Sequence, residues 1–449
     1  MRLLLVSPDY LSHYLPMGEI AEAWRNDGGD VVVASGPGMR ARASAAGLDT
    51  VELTLGQGHN DGIAAVAEQP GDESARLARF LAVTRDGPIP TLMFQTEQRR
   101  QDLLWQPREV AARVGSIVET VAPDVILVDQ LAYAATLALR AGHYPYAGFV
   151  TGHPTAVPGP GETYDVPPHF PSAIPIAPAD LAELQAAAGS VSAGFAATYG
   201  TILRELDPTG IPPTDAFAAT GTATLFNYPE ALHAGSGRVL PPASTFLGAV
   251  ARNEVLSSDL DAVLSTRGLR PRVYVSLGTF LSSRADLLRV VADGLRALPV
   301  DVVMATGAAD PAAIGCIPPG WVLRPFLPQV AVLERCDVVV THGGNNTITE
   351  SLRAGLPMLV LPLSTDQFAG AADLARAGLG VALDARSAYA EQVATAVLEL
   401  MGGPASARAA ALGERLRLGQ GAPRAVERLR VLAQRTPVIR PDRAPATRS

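Results

Sequence analysis

Thr341-His342-Gly343-Gly344-Asn345-Asn346-Thr347-Ile348-Thr349-Glu350 is the stretch whose reading decides the fold. Ahead of it, Asp337-Val338-Val339-Val340 is a short β-branched run bounded by polar residues, which reads as a buried strand. Behind it, Ile348 and Leu352 recur at helical spacing until Gly355-Leu356-Pro357 stops them. The stretch is therefore a strand-to-helix turn. Its glycines permit a tight backbone, and a helix opening at about Asn346 points free N–H groups and the positive end of its dipole outward. Such a helix mouth suits an anion. His342 and Thr347 add side-chain donors there, and Glu350 lies one turn beyond Thr347 on the same face, placed to accept from vicinal hydroxyls. A carboxylate repels phosphate, so the arrangement fits a phosphate joined to a sugar. The same residues also describe an ordinary strand-turn-helix link with His342 in the core and Asn346 as a helix cap.

Working outward, strands and helices alternate. Leu3–Ser7, a helix from about Leu15 to Asn26, Val31–Ala34, a helix from Met39 and Val51–Leu55 give a βαβαβ order, which predicts a parallel sheet covered on both faces. Residues 56–122 lose the strand pattern and hold helical stretches interrupted near Pro88, Pro90 and Pro107. Asp124–Asp129 and Ala147–Thr151 restore it, and the proline- and glycine-rich 151–178 reads as a long surface loop. A second series begins at Pro271, with strands Val273–Leu277, Val300–Ala305, Val322–Phe326, Val338–His342, Met358–Leu363 and Val381–Leu383. The expected architecture is α/β: two doubly wound Rossmann-like domains facing a cleft, residues 1–235 and 271–435, joined by a linker over 236–270 and followed by a frayed tail over 436–449.

A chain of 449 residues exceeds one ordinary core, in keeping with two domains. No apolar run is long enough to span a bilayer, and the start is too short and abrupt for a signal peptide, so a cytoplasmic location is expected. A net charge of −8 argues against nucleic acid as a partner. Cys316 and Cys336 stand apart from any Cys/His cluster, and no histidines share metal-ligand spacing on a helix, so neither a disulfide framework nor a metal site is expected. A dinucleotide fingerprint is missing after the first strand, where Ser7-Pro8-Asp9-Tyr10 stands, and no Walker A sequence occurs.

That first loop instead offers His13, placed just past the strand and just before the helix expected near Leu15-Pro16. A neutral imidazole accepts a proton near neutral pH, and a carboxylate on its far nitrogen fixes the tautomer and stabilises the cation that forms. Asp129, at the end of Val125–Val128, emerges at the same sheet edge and supplies one. Alternatively His13 caps the helix and Asp129 closes a turn.

From Phe326 to Gln367, including Arg324-Pro325-Phe326-Leu327-Pro328-Gln329 upstream and Leu361-Pro362-Leu363-Ser364-Thr365-Asp366-Gln367 downstream, the chain resembles the donor-binding signature of family-1, UDP-glycosyltransferase-like enzymes of GT-B fold. The resemblance implies that Phe326 stacks on the nucleobase, that the Leu327 backbone pairs with its edge and that Gln329 lies near base and ribose. It implies diphosphate contacts at His342 and Thr347, with Asn346 matching the asparagine of the same turn, Gly344 and Asn345 counted among the donor-binding residues, and the turn Gly278-Thr279 beneath the phosphates. Glu350 matches the ribose-binding glutamate, and Asp366 with Gln367 matches the acidic-Gln pair on the sugar hydroxyls, although Asp366 also suits the N-cap of the helix after it. His13 and Asp129 match the catalytic base and its partner. Asn345 and Gly343 replace the Trp and Cys of the plant signature, which makes the pattern similar to that of bacterial natural-product enzymes.

The resemblance thus implies an inverting, metal-independent transferase that moves a hexose from a UDP- or dTDP-sugar to a hydroxyl of a small natural product, with no cofactor beyond that co-substrate. An epimerase or hydrolase of the same fold and a non-catalytic nucleotide-sugar-binding helper are the alternatives. Residues 56–108 and 151–178 are expected to shape the acceptor pocket.

Overall fold

The computed structural model describes residues 1–56, 71–102, 104–250, 252–266, 268–436 and 438. The first sheet comprises β1 (Arg2–Val6), β2 (Asp30–Ser35), β3 (Asp49–Glu52), β4 (Val125–Asp129), β5 (Ala147–Val150), β6 (Ala223–Phe226) and β7 (Ser244–Phe246). They lie in the order β3-β2-β1-β4-β5-β6-β7, parallel throughout. The second comprises β8 (Arg272–Ser276), β9 (Asp301–Ala305), β10 (Val322–Arg324), β11 (Val338–Thr341), β12 (Met358–Val360) and β13 (Gly380–Ala382). Its order is β10-β9-β8-β11-β12-β13, again all parallel. The strand order reverses between β1 and β4 and between β8 and β11. Sheets of this kind open a crevice at the carboxyl ends of the strands where the order reverses.

Strands buried on both faces need near-continuous apolar runs. Leu3, Leu4 and Leu5 of β1 and Val338, Val339 and Val340 of β11 are all at most 1% exposed. The helix Leu11–Asn26 covers the first sheet with Tyr14, Met17, Ile20, Ala21 and Trp24. Burying each such large side chain is worth about 1.5–3 kcal/mol. That is what holds the strand ends, and the residues just past them, in fixed positions.

The domain boundaries differ from the sequence reading in two places. Ser244–Phe246, expected in the linker over 236–270, is the edge strand β7 of the first sheet, paired with β6. Three residues with two hydroxyls carry too little apolar pattern to stand out. The helix Gly421–Arg435, expected in the second domain, returns to the first: Ala425, Val426, Leu429 and Ala433 join the cluster of Leu3, Met17 and Trp24. Arg430 there bonds Asp27 at 2.5 Å and lies over the Trp24 ring. Part of the loop 56–108 and most of the tail 436–449 fall outside the described residues, as does any test of fraying.

Candidate active site

Between the domains lies a cavity of about 1310 Å³, lined from one side by the ends of β1 and β4 and from the other by those of β8 and β11. His13 and Asp129 stand on the first wall; Gly278, Phe326, Gln329, His342, Gly344 and Thr347 stand on the second.

His13 Nδ1 is 2.9 Å from Asp129 Oδ2. Asp129, 1% exposed, also accepts from the Leu131 N–H on Oδ1 at 2.9 Å and from the Thr151 hydroxyl on Oδ2 at 3.1 Å. An ionised carboxylate only accepts, so the imidazole proton sits on Nδ1 and leaves Nε2 with a free lone pair. Burial opposes a charge on His13, yet the Asp129 carboxylate and its hydrogen bond outweigh it and hold the pKa above the ordinary 6.5. His13 does not precede its helix, as the sequence suggested, but lies in the first turn of one that begins at Leu11. Proline is favoured at the first position of a helix, which points to a start near Leu15. Pro16 is instead interior, and because it has no N–H it leaves the Ser12 carbonyl without its intrahelical partner.

Across the cavity the helix Asn345–Ala354 opens after Gly344 with no side-chain cap and no acidic residue in its first turn. Its mouth is thus electropositive backbone. His342 lies between two glycines: a Cβ on Gly278 would come 2.6 Å from its Cε1, and one on Gly344 would come 2.5 Å from its Nε2. Gly278, with φ +71°, also holds a conformation that side chains disfavour. Burial drives the His342 pKa down to about 4, only partly offset by a hydrogen bond to the Ser276 carbonyl and by Asp366. His342 Nδ1 lies 3.3 Å from the Thr341 hydroxyl oxygen.

The Asn345 and Asn346 side chains line the cavity and bridge the domains. Asn345 Nδ2 donates to the carbonyls of Thr151 and Asn227 at 2.5 and 2.9 Å, and Asn346 Nδ2 donates to the freed Ser12 carbonyl at 2.7 Å. Glu350 does not line the cavity. Its oxygens take the Arg252 guanidinium at 3.0 and 2.9 Å and the Gln329 amide at 2.6 Å.

Phe326 is 56% exposed on the cavity wall, an apolar face free to stack, while Leu327 is buried beside it. Thr347 donates to Gln329 Oε1 at 3.4 Å. The Gln367 amide is consumed by its own loop, accepting from the N–H groups of Leu363 and Ser364 and donating to Ser364 Oγ. Asp366 makes no cap bond; Oδ2 accepts from the His153 N–H of the first domain at 2.7 Å. Next to it Thr365 holds φ +46° and its N–H donates to Gln95. A β-branched residue in that region costs on the order of 1–3 kcal/mol, so contacts with the first domain keep this loop in place. The Thr279 side chain lies outside the described residues.

Arg99, Tyr164 and Asp165 fall in the stretches 56–108 and 151–178 that the sequence pointed to and, with Tyr133 from outside them, line the first-domain part of the cavity, although sequence reasoning named none of the four. Arg99 pairs with Asp165 at 2.9 Å over the Tyr164 ring, and Tyr164 stacks on Phe217. Their partners are too far apart in the chain for local pattern to reveal. His153 is buried, with Nε2 3.0 Å from Asp373 of the second domain. Among the described residues no group of three His, Cys, Asp or Glu side chains is placed to hold a metal ion, and no helix is long and apolar enough to cross a membrane.

Residues 215–411 match the family described as UDP-glucoronosyl and UDP-glucosyl transferase. A PGL/p-HBAD biosynthesis glycosyltransferase of Mycobacterium tuberculosis is 36% identical over 134 residues, 30% of this chain and 30% of its own length. The NDP-glycosyltransferase YjiC of Bacillus subtilis is 32% identical over 124 residues, 27% of this chain and 32% of its own. The matched stretches thus span about a third of these relatives. Over nearly the whole chain the structure is similar to the glycotransferase of kitacinnamycin, with TM-score 0.68 and 23% identity over 96% of this chain and 98% of that one. Glycosyltransferase VinC in complex with dTDP superposes with TM-score 0.65 and 20% identity over 97% and 100%. At those identities the likeness shows the fold. The fold is GT-B, and through the segment 215–411, less than half of its length, the chain is similar to the UDP-glucoronosyl and UDP-glucosyl transferase family.

Proposed function

We propose that this protein is an inverting, metal-independent glycosyltransferase that moves a hexose from a UDP- or dTDP-sugar to a hydroxyl of a small natural product, with His13 as general base. The observation that carries the reading is the His13–Asp129 pair at 2.9 Å, facing an uncapped helix mouth across one cavity. The complexes of similar structures with dTDP and with a spinosyn aglycone support a nucleotide donor and a small acceptor.

In this mechanism the donor diphosphate lies at the N–H groups of the helix Asn345–Ala354, and the acceptor hydroxyl hydrogen-bonds His13 Nε2. The hydroxyl oxygen forms its bond to the anomeric carbon as that carbon's bond to the diphosphate oxygen breaks on the opposite face. The proton passes to Nε2, and Asp129 stabilises the imidazolium. Negative charge grows on the leaving diphosphate, where the helix dipole, the Thr347 hydroxyl and a protonated His342 act most strongly. Attack opposite the leaving group inverts the configuration. Aromatic Tyr133, Tyr164 and Phe94 on the first wall suit an apolar acceptor.

His13→Ala tests the reading. Transfer from UDP-glucose or dTDP-glucose to a hydroxylated acceptor should fall by about 10²–10⁴-fold, the usual contribution of a general base, with nucleotide-sugar affinity nearly unchanged. Equal loss of both would make His13 structural and sink the assignment.

A further inference from the structure

Glu350 lies on the donor side of the cavity, 5% exposed, behind two side chains that line it, Arg252 and Gln329. Arg252 comes from the segment crossing between the domains, and its side chain is 11% exposed. Its Nε and Nη2 take Oε1 and Oε2 of Glu350 at 3.0 and 2.9 Å, and its Nη1 is 3.1 Å from Glu254 Oε1. The Gln329 amide adds a second bond to Oε2 at 2.6 Å. A carboxylate offers about four lone-pair sites. Among the described residues three are filled here, and the one left is on Oε1.

Under the transferase reading, on which this step rests, the phosphates sit at the helix mouth and the nucleobase at Phe326. The pentose between them falls beside Thr347, Gln329 and Arg252. A ribose brings two hydroxyls to that place and a 2′-deoxyribose only one. Arg252 is not free to move aside, because leaving would strand two largely buried carboxylates, Glu254 and Glu350, without a counter-charge. Its bidentate grip also fixes the orientation of the carboxylate. We infer that Arg252 is a specificity-determining residue: by sealing Glu350 down to one acceptor site, it makes the donor site select 2′-deoxyribonucleoside diphosphates over ribonucleoside diphosphates. A second pentose hydroxyl reaches the pocket with no partner, and an unpaired buried donor costs affinity.

Equilibrium titration with UDP, dUDP, 5-methyl-UDP and dTDP separates the base methyl group from the 2′-hydroxyl. In the wild-type protein each deoxy nucleotide should bind about tenfold more tightly than its ribo counterpart, whichever base it carries. Arg252→Met keeps the apolar stem and frees Glu350, so the deoxy-to-ribo ratio should fall towards one. Because the ratio is taken within one variant, a general weakening of all four probes by the freed carboxylate does not disturb it. Arg252→Lys, charged but unable to grip both oxygens, should give an intermediate ratio. Equal wild-type affinities for ribo and deoxy partners, or an unchanged ratio in Arg252→Met, overturn the inference and leave the transferase reading standing. If none of the four nucleotides binds, the transferase reading fails and this inference with it.

Discussion

Asp129→Asn is nearly isosteric, and the structure fixes how the new amide must sit. The Leu131 N–H donates to Oδ1 at 2.9 Å, and a backbone N–H requires an acceptor there. The amide oxygen therefore takes the Oδ1 place, and the NH₂ group takes that of Oδ2, 2.9 Å from His13 Nδ1. Thr151, which donates to Oδ2 at 3.1 Å, needs only to rotate its hydroxyl and accept. His13 Nδ1 must then accept as well, and its proton moves to Nε2, the nitrogen needed as base. Had orientation survived, exchanging a charge-assisted bond for a neutral one would cost about 1–2 kcal/mol, roughly 5–30-fold. With the wrong tautomer the loss should approach the whole contribution of general-base catalysis, about 10³–10⁴-fold in kcat. Steady-state transfer with saturating donor reads that number, and titration with the nucleotide should show affinity within about twofold of wild type. A loss below about tenfold, or a nucleotide affinity that falls in step with kcat, would refute the assignment of roles.

Other outcomes follow from the same geometry. Phe326→Ala should weaken nucleoside diphosphate binding by about 1–3 kcal/mol, the worth of one base stacked on an aromatic ring, with little change in Tm because the side chain is 56% exposed; calorimetric titration and thermal melting read the two. In a pH profile, kcat/KM should rise with pH through the pKa of His13, which Asp129 holds above 6.5, and reach its plateau once the ring is neutral. Stability runs the other way. The contribution of a raised histidine is fully present below pH 6.5 and is lost as pH climbs through the folded pKa, whereas His342, held near 4, costs stability as pH falls below 6.5. Asn346→Ala should lower kcat/KM by about 2–10-fold through loss of one interdomain hydrogen bond. Combined with Pro16→Ala, which supplies the Ser12 carbonyl with a competing helical N–H, the loss should be less than additive in a double-mutant cycle.

What was legible in the sequence was everything carried by short-range pattern. The runs Leu3-Leu4-Leu5 and Val125-Ile126-Leu127-Val128 read as buried strands of one parallel sheet, so the loop after the first and Asp129 at the end of the second emerge at the same sheet edge, which is how His13 and Asp129 meet across 116 residues. Fold and wall assignments rest on that periodicity. Partnerships do not. Glu350 looked free because Thr347 is its neighbour on the helix, but its cation arrives from Arg252, 98 residues away. Gln367 looked available because nothing in Ser364-Thr365-Asp366-Gln367 says that the amide folds back onto the N–H groups of Leu363 and Ser364. A side chain with several hydrogen-bonding atoms is claimed by whichever donors the tertiary fold brings within 3 Å, and residue type alone does not name them.

Pro16 shows how a local rule and a distant partner combine at the site. A proline inside a helix removes the N–H that would have closed on the carbonyl four residues earlier, and such a break usually weakens the helix. Here the orphaned carbonyl belongs to Ser12, next to the proposed base, and the group that satisfies it is the Asn346 amide, next to Thr347 at the opposite helix mouth. One hydrogen bond of 2.7 Å therefore ties the turn carrying His13 to the turn offered to the diphosphate. Asn345 repeats the arrangement on the Thr151 carbonyl, whose residue also bonds Asp129. The two asparagines that the sequence counted among the donor-binding residues also tie the two domains together beside the proposed base. Proximity catalysis needs the reacting groups held to within a fraction of an ångström. In a molecule of two domains that precision must come from contacts across the gap, and these asparagines place such contacts within one residue of each chemical group.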